Sequence, residues 1–460
     1  MRGTCAAVLC AVLLAVAAAG CGGDDADERT TVTVWTLENL PDRMAVQREL
    51  AADFTRRTGI RVRLVGIAED QFSQVVRSAA AAGRLPDVIG ALPLASVREL
   101  EANELLDTDT PGRVVDELGR GTFSRRALEL DSAGGVLLAV PSDAWAQLIL
   151  YRRDLFERAG LDPPDTYERL RAAARRLNGG GMAGIALAVA PRDTFTAQTF
   201  EFVALANGCE LVSGDGAVTI GDRRCERAFA FYADLARNHS VPGRQDLDSV
   251  RATYFSGRAA MAMWSSFILD ELAGLRADTL PSCAECRAGP RWLAEHTGFV
   301  TALRGPDATR PARYGEVVSW AITREADRDK ARRFVTYMMD TGYERWLGMA
   351  PEGKIPVRAG TPQDPRRFAD AWDRLPAGVG TRQPLADVYP AKDLDLLRAS
   401  TAGFDRWGIT QGQGRLVGAI MGELPVPRAL SALVAGSLTP AEAAAQARRD
   451  VETIKRGIRE

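Results

Sequence analysis

Histidine and lysine are scarce in this 460-residue chain, which has only His239 and His296, and only Lys330, Lys354, Lys392 and Lys455. Two histidines leave metal centres and His-based triads little to draw on. Neither lies in a His-Glu-x-x-His pattern or opposite a Gly-x-Ser-x-Gly elbow. A Gly-x-x-x-x-Gly-Lys-Ser/Thr loop is also missing, so ATP hydrolysis is not expected of this chain, and no cofactor or metal is implied. A glycosidase needs only two carboxylates, which 60 acidic residues cannot exclude; the other parts of an enzyme are absent, and the reading is non-enzymatic. Charge of one sign is lacking too. With 58 basic and 60 acidic residues the formal charge is -2, which gives no electrostatic footprint for nucleic acid. The preference for Arg over Lys is explained by codon bias in a GC-rich genome. Beyond the N-terminus no run of about 18 apolar residues occurs, so no spanning helix is expected. No long repeat, heptad array or low-complexity block is visible.

What is present begins with Arg2, an apolar run from Ala6 to Ala19, and Ala18-Ala19-Gly20-Cys21. A short apolar run closed by small residues reads as an export signal. Cys after Ala-Gly resembles a bacterial lipobox, with Ala18 where Leu is commoner. The expectation is a signal over 1–20, lipidation at Cys21, and a polar tether over 21–30 that anchors the chain to the outer face of the cell membrane. Seven cysteines occur. With Cys5 and Cys10 in the signal and Cys21 lipidated, Cys209, Cys225, Cys283 and Cys286 remain, enough for two disulfides in an oxidising compartment. Three pairings are open; Cys209 with Cys225 and Cys283 with Cys286 are the local ones. A redox or zinc role for the lone Cys-x-x-Cys lacks a second pair or a thioredoxin-like context.

Thr31 to Val34 alternates as a strand, followed by Trp35-Thr36. Arg43 to Arg57 sets Val46, Leu50 and Phe54 on one helical face, stopped by Gly59. Ile60, Val62 and Leu64 alternate again, completing a βαβ unit with loops gathered at the strand ends. A helix ends near Gly83, and Leu85 to Ile89 enters a third strand. Pro141 to Leu177 reads as a polar loop with Trp145, an apolar run to Tyr151, a helix stopped by Gly160, a Pro-Pro break, and a helix capped by Asp165 or Thr166.

That stretch, "VP…W…L.YR.DLF..AGLDPP.TYERL", resembles the mid-chain motif of solute-binding proteins of carbohydrate ABC transporters. So do "AAGRLPDVI", Asn207 to Ile220, Tyr254 to Met263, Tyr314 to Ile322 with the helix to Met339, and Lys354 to Arg358, in that order. Where the family often continues with Gly and Trp, this chain has Trp264, Ser265 and Phe267. The resemblance, to the extracellular solute-binding family 1 that includes maltose-binding proteins, covers about Val32 to the C-terminus. It implies an α/β, two-lobe, type II periplasmic-binding-protein-like fold. Each lobe would be a mixed, mostly parallel sheet flanked by helices, with the ligand cleft between them. The implied lobes are 31–141 with 313–358 and 142–312 with 359–460, with crossings at Pro141 to Trp145, near Tyr314 and near Arg358. The implied function is capture of a sugar or oligosaccharide by a monomer that delivers it to ABC permease subunits. The alternatives are a non-sugar solute on the same scaffold, a non-transporting sensor or interaction lipoprotein, and a glycoside-active enzyme.

Sugars need carboxylates, amides and Arg for their hydroxyls and aromatic faces for their C–H side. The expected ligand residues are Trp35, Thr36 and Glu38 after strand one, and Asp70 and Gln71 after strand two. Asp143 and Trp145 follow at the first crossing, Trp264 and Ser265 after a second-lobe strand, and Tyr314 and Glu316 at the return. Asp70 could equally cap a helix, Asp87 is expected to support a turn, and any of the tryptophans could be packing.

Overall fold

The computed structural model describes residues 30–459. The expected signal over 1–20, Cys21 and nearly all of the tether lie outside the described residues. The first strand–helix–strand unit is β1 (Thr31–Thr36), α1 (Pro41–Thr58) and β2 (Arg61–Gly66). Pro41 opens the helix, where its missing N–H costs nothing, and Gly59 ends it at φ 74° in the left-handed conformation. Met44, Gln47, Leu50 and Phe54 form the buried face, and Phe54 meets Phe334 edge-on at 5.3 Å.

After α2 (Phe72–Ala81) comes β3 (Val88–Pro93), which starts later than the Leu85–Ile89 pattern suggests. Pro86 has no N–H for a ladder. Asp87 is a bracket, accepting from the backbone N–H groups of Thr33 and Asp327, both at 2.7 Å. α3 (Leu94–Ala102) then leaves the end of β3.

The largest departure from the sequence reading is at Pro141 to Trp145. This segment is not a loop: Val140–Arg152 is one strand, β4, of 13 residues. Only Trp145 and Tyr151 within it keep partial exposure, so both faces are covered and no polar–apolar alternation marks it. A register shift between Pro141 and Asp143 absorbs the proline. α4 (Arg153–Ala159) ends at Gly160, φ 65°. Thr166 caps α5 (Tyr167–Leu177), its hydroxyl accepting from the Arg169 N–H at 3.2 Å.

The remaining elements used below are α6 (Thr194–Ala206), α7 (Arg223–Asn238), β5 (Met261–Ser265), β6 (Thr297–Val300), β7 (Gly315–Ile322), α8 (Arg328–Met339) and β8 (Ile355–Pro356). They end with α9 (Gly414–Glu423), α10 (Pro425–Val434) and α11 (Pro440–Arg459).

One sheet runs through both lobes in the order β8-β4-β7-β3-β1-β2, and β5 and β6 also pair with β4. β2, β1 and β3 are parallel; β7 is antiparallel to both β3 and β4. β4 belongs to both lobes. Val140 to Ala146 pairs with β7, and Gln147 to Tyr151 pairs antiparallel with β5. The second lobe adds parallel bridges from Ala183 and Ala186 to Ala259 and Ala262.

The first lobe packs Val32, Val34, Phe54, Trp320, Phe334 and Trp346 into one core, and the second packs Phe200, Phe229, Tyr232, Met261 and Trp264 into another. Tyr167 lies flat on Phe231 at 3.6 Å in the second core. Gly90 faces the Trp320 ring so closely that a Cβ would collide with it. The structure joins Cys209 to Cys225 and Cys283 to Cys286. Among the described residues no single helix is long and apolar enough to cross a membrane. One bent pair passes by composition, α9 with α10, and it packs against α3, α7 and α11.

Candidate functional site

Because β1, β2 and β3 are parallel, the loops that follow them gather on one edge of the first lobe. β4 crosses that edge on its way to the second lobe, with Trp145 opposite Glu316 and Ala146 opposite Gly315. The Gln147 N–H then donates to the Tyr314 carbonyl at 2.9 Å, and the Ser266 N–H donates to the Ala146 carbonyl at 2.8 Å. Both lobes therefore share backbone bonds beside Trp145.

The first group of charges lies in the turn after β1. Thr36 is buried, and its hydroxyl accepts the Glu38 N–H at 3.1 Å. The Glu38 carboxylate meets Arg43 and lies 2.6 Å from the Lys354 ammonium. Lys354 also reaches Asp143 at 3.3 Å and sits 4.3 Å above the Trp346 ring. The other Asp143 oxygen accepts from Trp346 Nε1 at 2.6 Å and from the Ser142 hydroxyl at 2.5 Å. Arg43, Glu38, Lys354 and Asp143 alternate in sign, which makes their burial tolerable. Burial would raise the Glu38 pKa, but Lys354 and Arg43 outweigh it and hold it at about 2.

The second group centres on Arg406. Its guanidinium pairs with Glu316 at 2.8 Å and Glu201 at 3.2 Å, all three buried. The other Glu316 oxygen accepts from the Leu94 N–H, the start of α3, at 2.9 Å. Burial works against the Arg406 charge, but Glu316, Tyr314 and Glu201 raise its pKa well above the usual value. Burial pushes Glu201 up despite Arg406. Arg406 also covers the Tyr314 ring at 4.9 Å, and that ring lies 6.3 Å from Trp145.

The third group is Glu69 and Asp70, after β2. Both are exposed, yet the Glu69 pKa is raised, first by desolvation and then by Glu316, Glu38 and Asp70. Across the seam, Arg43 covers the Phe267 ring at 5.5 Å, and Gly353 abuts the same ring. Burial, then Glu271, lifts Asp270 to about 7 there, and burial, then Asp270, lifts Glu352 well above its usual range.

Of the residues singled out from the sequence, Thr36, Glu38, Asp143, Trp145, Tyr314 and Glu316 gather around this edge, with Asp70 beside Glu69. Asp143 is fully buried with both oxygens engaged. Trp145 keeps part of its surface free. Tyr314 is buried, and its hydroxyl has no partner. Asp70 makes no cap bond to α2, and Gln71 is exposed at the start of that helix. Trp35 packs into the cluster of Phe72, Ile89 and Leu92. Trp264 is buried against Phe195 at 4.7 Å, and Ser265 is partly exposed at the end of β5.

Sequence reasoning missed Arg43, Glu69, Gln147, Glu201, Lys354 and Arg406 as members of this region. For Lys354 a signal existed: it is one of four lysines in a chain that otherwise uses Arg. A compact ammonium can contact Glu38, Asp143 and an indole at once, which a planar guanidinium does less readily. A separate cavity of about 720 Å³ lies further along α3, lined by Arg98, Glu101, Ser132 and Gln413. It does not include the groups above, so volume alone does not mark the site.

Residues 38–344 match the family model described as bacterial extracellular solute-binding protein. The chain is 29% identical over 343 residues to YcjN of Escherichia coli (strain K12), covering 72% of this chain and 74% of that protein, whose name assigns it provisionally to ABC transporter periplasmic-binding proteins. The fold is similar to maltose-bound T. maritima MalE3, with TM-score 0.67, 17% identity, and coverage of 92% of this chain and 99% of that one. It is similar also to the GacH receptor of Streptomyces glaucescens GLA.O, solved unliganded and with acarbose, with TM-score 0.68, 18% identity, and coverage of 92% and 98%.

Proposed function

The chain belongs to the bacterial extracellular solute-binding proteins, and from that premise we propose that it captures a carbohydrate outside the cytoplasm and delivers it to the permease of an ABC importer. The observation that carries this reading is the partly exposed Trp145, set on the strand shared by both lobes, opposite Glu316 and 6.3 Å from the Tyr314 ring. An indole face suits the C–H side of a pyranose, and the carboxylates suit its hydroxyls. The maltose and acarbose complexes of the similar folds support the same class of ligand.

In this reading the lobes comprise 31–141 with 313–358 and 142–312 with 359–460. They hinge at β4, near Tyr314 and near Arg358. A solute touching both lobes favours the closed state, and the permease reads that state. Trp145, Asp70 and Ser265 form the ligand wall, with Glu38 held just behind it by Lys354 and Arg43. Asp143, Tyr314 and Glu316 act behind it, Asp143 by holding Lys354 and Glu316 by holding Arg406. Trp35, Thr36, Gln71 and Trp264 frame the wall. A lipid on Cys21 and a tether over 21–30 hold the monomer at the outer face of the membrane.

A thermal-shift screen against sugars, polyols, amino acids and phosphate esters tests the reading. A ligand at 100 times its Kd stabilises by about 2.7 kcal/mol. Sugars are expected to raise the melting temperature, and Trp145→Ala to weaken that binding by about tenfold, or about 1.4 kcal/mol. A shift produced only by another chemical class would overturn the carbohydrate assignment.

A further inference from the structure

The cavity of about 720 Å³ beside α3 includes neither Trp145 nor the charge groups around it. α9 begins on its wall: Gly414, Arg415 and Leu416, the first three residues of that helix, all line it. The first helical bond of α9 runs from the Val417 N–H to the Gln413 carbonyl, so the three N–H groups before it have no partner within the helix. Gln413 supplies no side-chain cap, and among the described residues no other group accepts from them. Gly414 and Leu416 are buried, and a buried backbone donor left open is costly. A helix of ten residues with an uncapped start presents partial positive charge and free N–H groups to whatever enters the cavity.

A second, independent observation is Arg98 of α3, which lines the same cavity. It is 2% exposed, and its Nε has no partner. The other nitrogens are held in place: Nη1 donates to Glu101 at 3.0 Å, and Nη2 to the Leu130 and Ser132 carbonyls, both at 2.7 Å. So fixed, Nε meets the start of α9, where a Cβ on Gly414 would stand 2.7 Å from it. Glycine there lets the open Nε–H and the open helix N–H groups come together. Lys455 of α11 brings a cation to the same wall. Its ammonium donates to the Gly216 carbonyl, and Gly216 abuts the Gln413 side chain, which sets Lys455 beside the start of α9. Asp215 feels that charge but bonds to Ser213 and the Ala217 N–H instead. The carboxylates on the wall are matched by arginines: Glu101 by Arg98 at 3.0 Å and Arg415 at 4.0 Å, and Glu129 by Arg126 at 3.3 Å. Asp131, which has a buried oxygen without a partner, does not line the cavity. The open groups on this wall are therefore donors.

We propose that this cavity is a second binding site, which takes a phosphate group, free or carried by a small ester, at the start of α9 between Arg98 and Lys455. The donors converge from three elements, α3, α9 and α11. A phosphate group brings at least three strongly accepting oxygens to meet them, where a carboxylate brings two. The volume is larger than one such group needs and leaves room for an attached organic part. The site is independent of the carbohydrate reading and goes beyond it.

Calorimetric titration of the purified protein with inorganic phosphate, glucose 6-phosphate, glucuronate and glucose, at constant ionic strength, tests the site. Phosphate and the ester are expected to bind, and less tightly as salt is added. The informative variant is Gln413→Asp, which puts a carboxylate of the protein's own at the helix start. It should weaken phosphate binding by about tenfold while leaving the melting temperature unchanged or higher, because an acidic residue suits a helix N-terminus. Lys455→Gln, a change at a partly exposed residue, should weaken it as well. Tighter binding of the ester than of inorganic phosphate would support the site with an organic phosphate as occupant, and equal binding would support it with the free ion. Failure of both to bind, glucuronate binding as tightly as the ester, or phosphate binding untouched by Gln413→Asp overturns the phosphate site. Glucose reports on the carbohydrate reading alone, and its binding should not respond to Gln413→Asp, so the failure of either proposal is seen separately.

Discussion

Glu38→Gln tests whether the buried charge chain at the cleft stabilises the fold as its geometry requires. Glu38 is 8% exposed, so solvent screening does not dilute its pairing with Lys354 and Arg43. Its pKa falls from 4.5 to about 2 on folding, with burial opposing and the two cations prevailing. One pKa unit corresponds to about 1.4 kcal/mol, so the shift is worth about 3 kcal/mol. The sign follows from the depressed value. The folded state holds the carboxylate ionised, so this stability is fully present above pH 4.5 and is lost as pH falls towards about 2.

Urea unfolding of the wild type and Glu38→Gln, measured from pH 3 to pH 7, reads this directly. The variant should be less stable by about 3 kcal/mol at neutral pH, and the gap should narrow steadily below pH 4.5. Groups displaced the other way, such as Asp131, raised by burial to about 7, titrate in both proteins and cancel in the difference. A gap that stays constant across the acid range would refute the reasoning. It would mean that Glu38 is not held ionised by Lys354 and Arg43.

Asp143→Ala should cost about 3–5 kcal/mol in the same assay, because it strands the buried Lys354 ammonium and the Trp346 N–H; a loss under about 1 kcal/mol would show that the network does not support the fold. Replacing Cys209 and Cys225 by Ser, which opens a link of sequence separation 16, should cost about 3 kcal/mol by the loop-entropy estimate. The same change at Cys283 and Cys286, separation 3, should cost about half as much; equal losses would refute the loop-length reasoning.

Local structure was legible wherever it depends on neighbours along the chain. Gly59 and Gly160 end their helices at positive φ, and Thr166 caps the next. The order of family-like segments pointed to two lobes and to Trp145 at their junction. β4 was misread at its start because a strand covered on both faces has no alternation to detect, and its Ser142 and Asp143 look like loop residues until partners arrive from β7 and Trp346. Asp143 was read as a ligand residue, whereas its oxygens meet Trp346 and Lys354, which lie 203 and 211 positions away and so were invisible along the chain.

By itself the amino-acid sequence determined the elements and their order, the βαβ start, and the kind of side chain available at each crossing. These follow from backbone sterics, capping and periodicity, which act over a few residues. Only the tertiary structure decided which of those side chains are committed and which are free. Arg43, Lys354 and Arg406 are spent on protein carboxylates, while Glu69, Asp70 and the Trp145 face are left open. The physical reason is that charge pairing and desolvation depend on distances of a few ångströms between residues hundreds of positions apart, and the sheet built on β4 sets those distances.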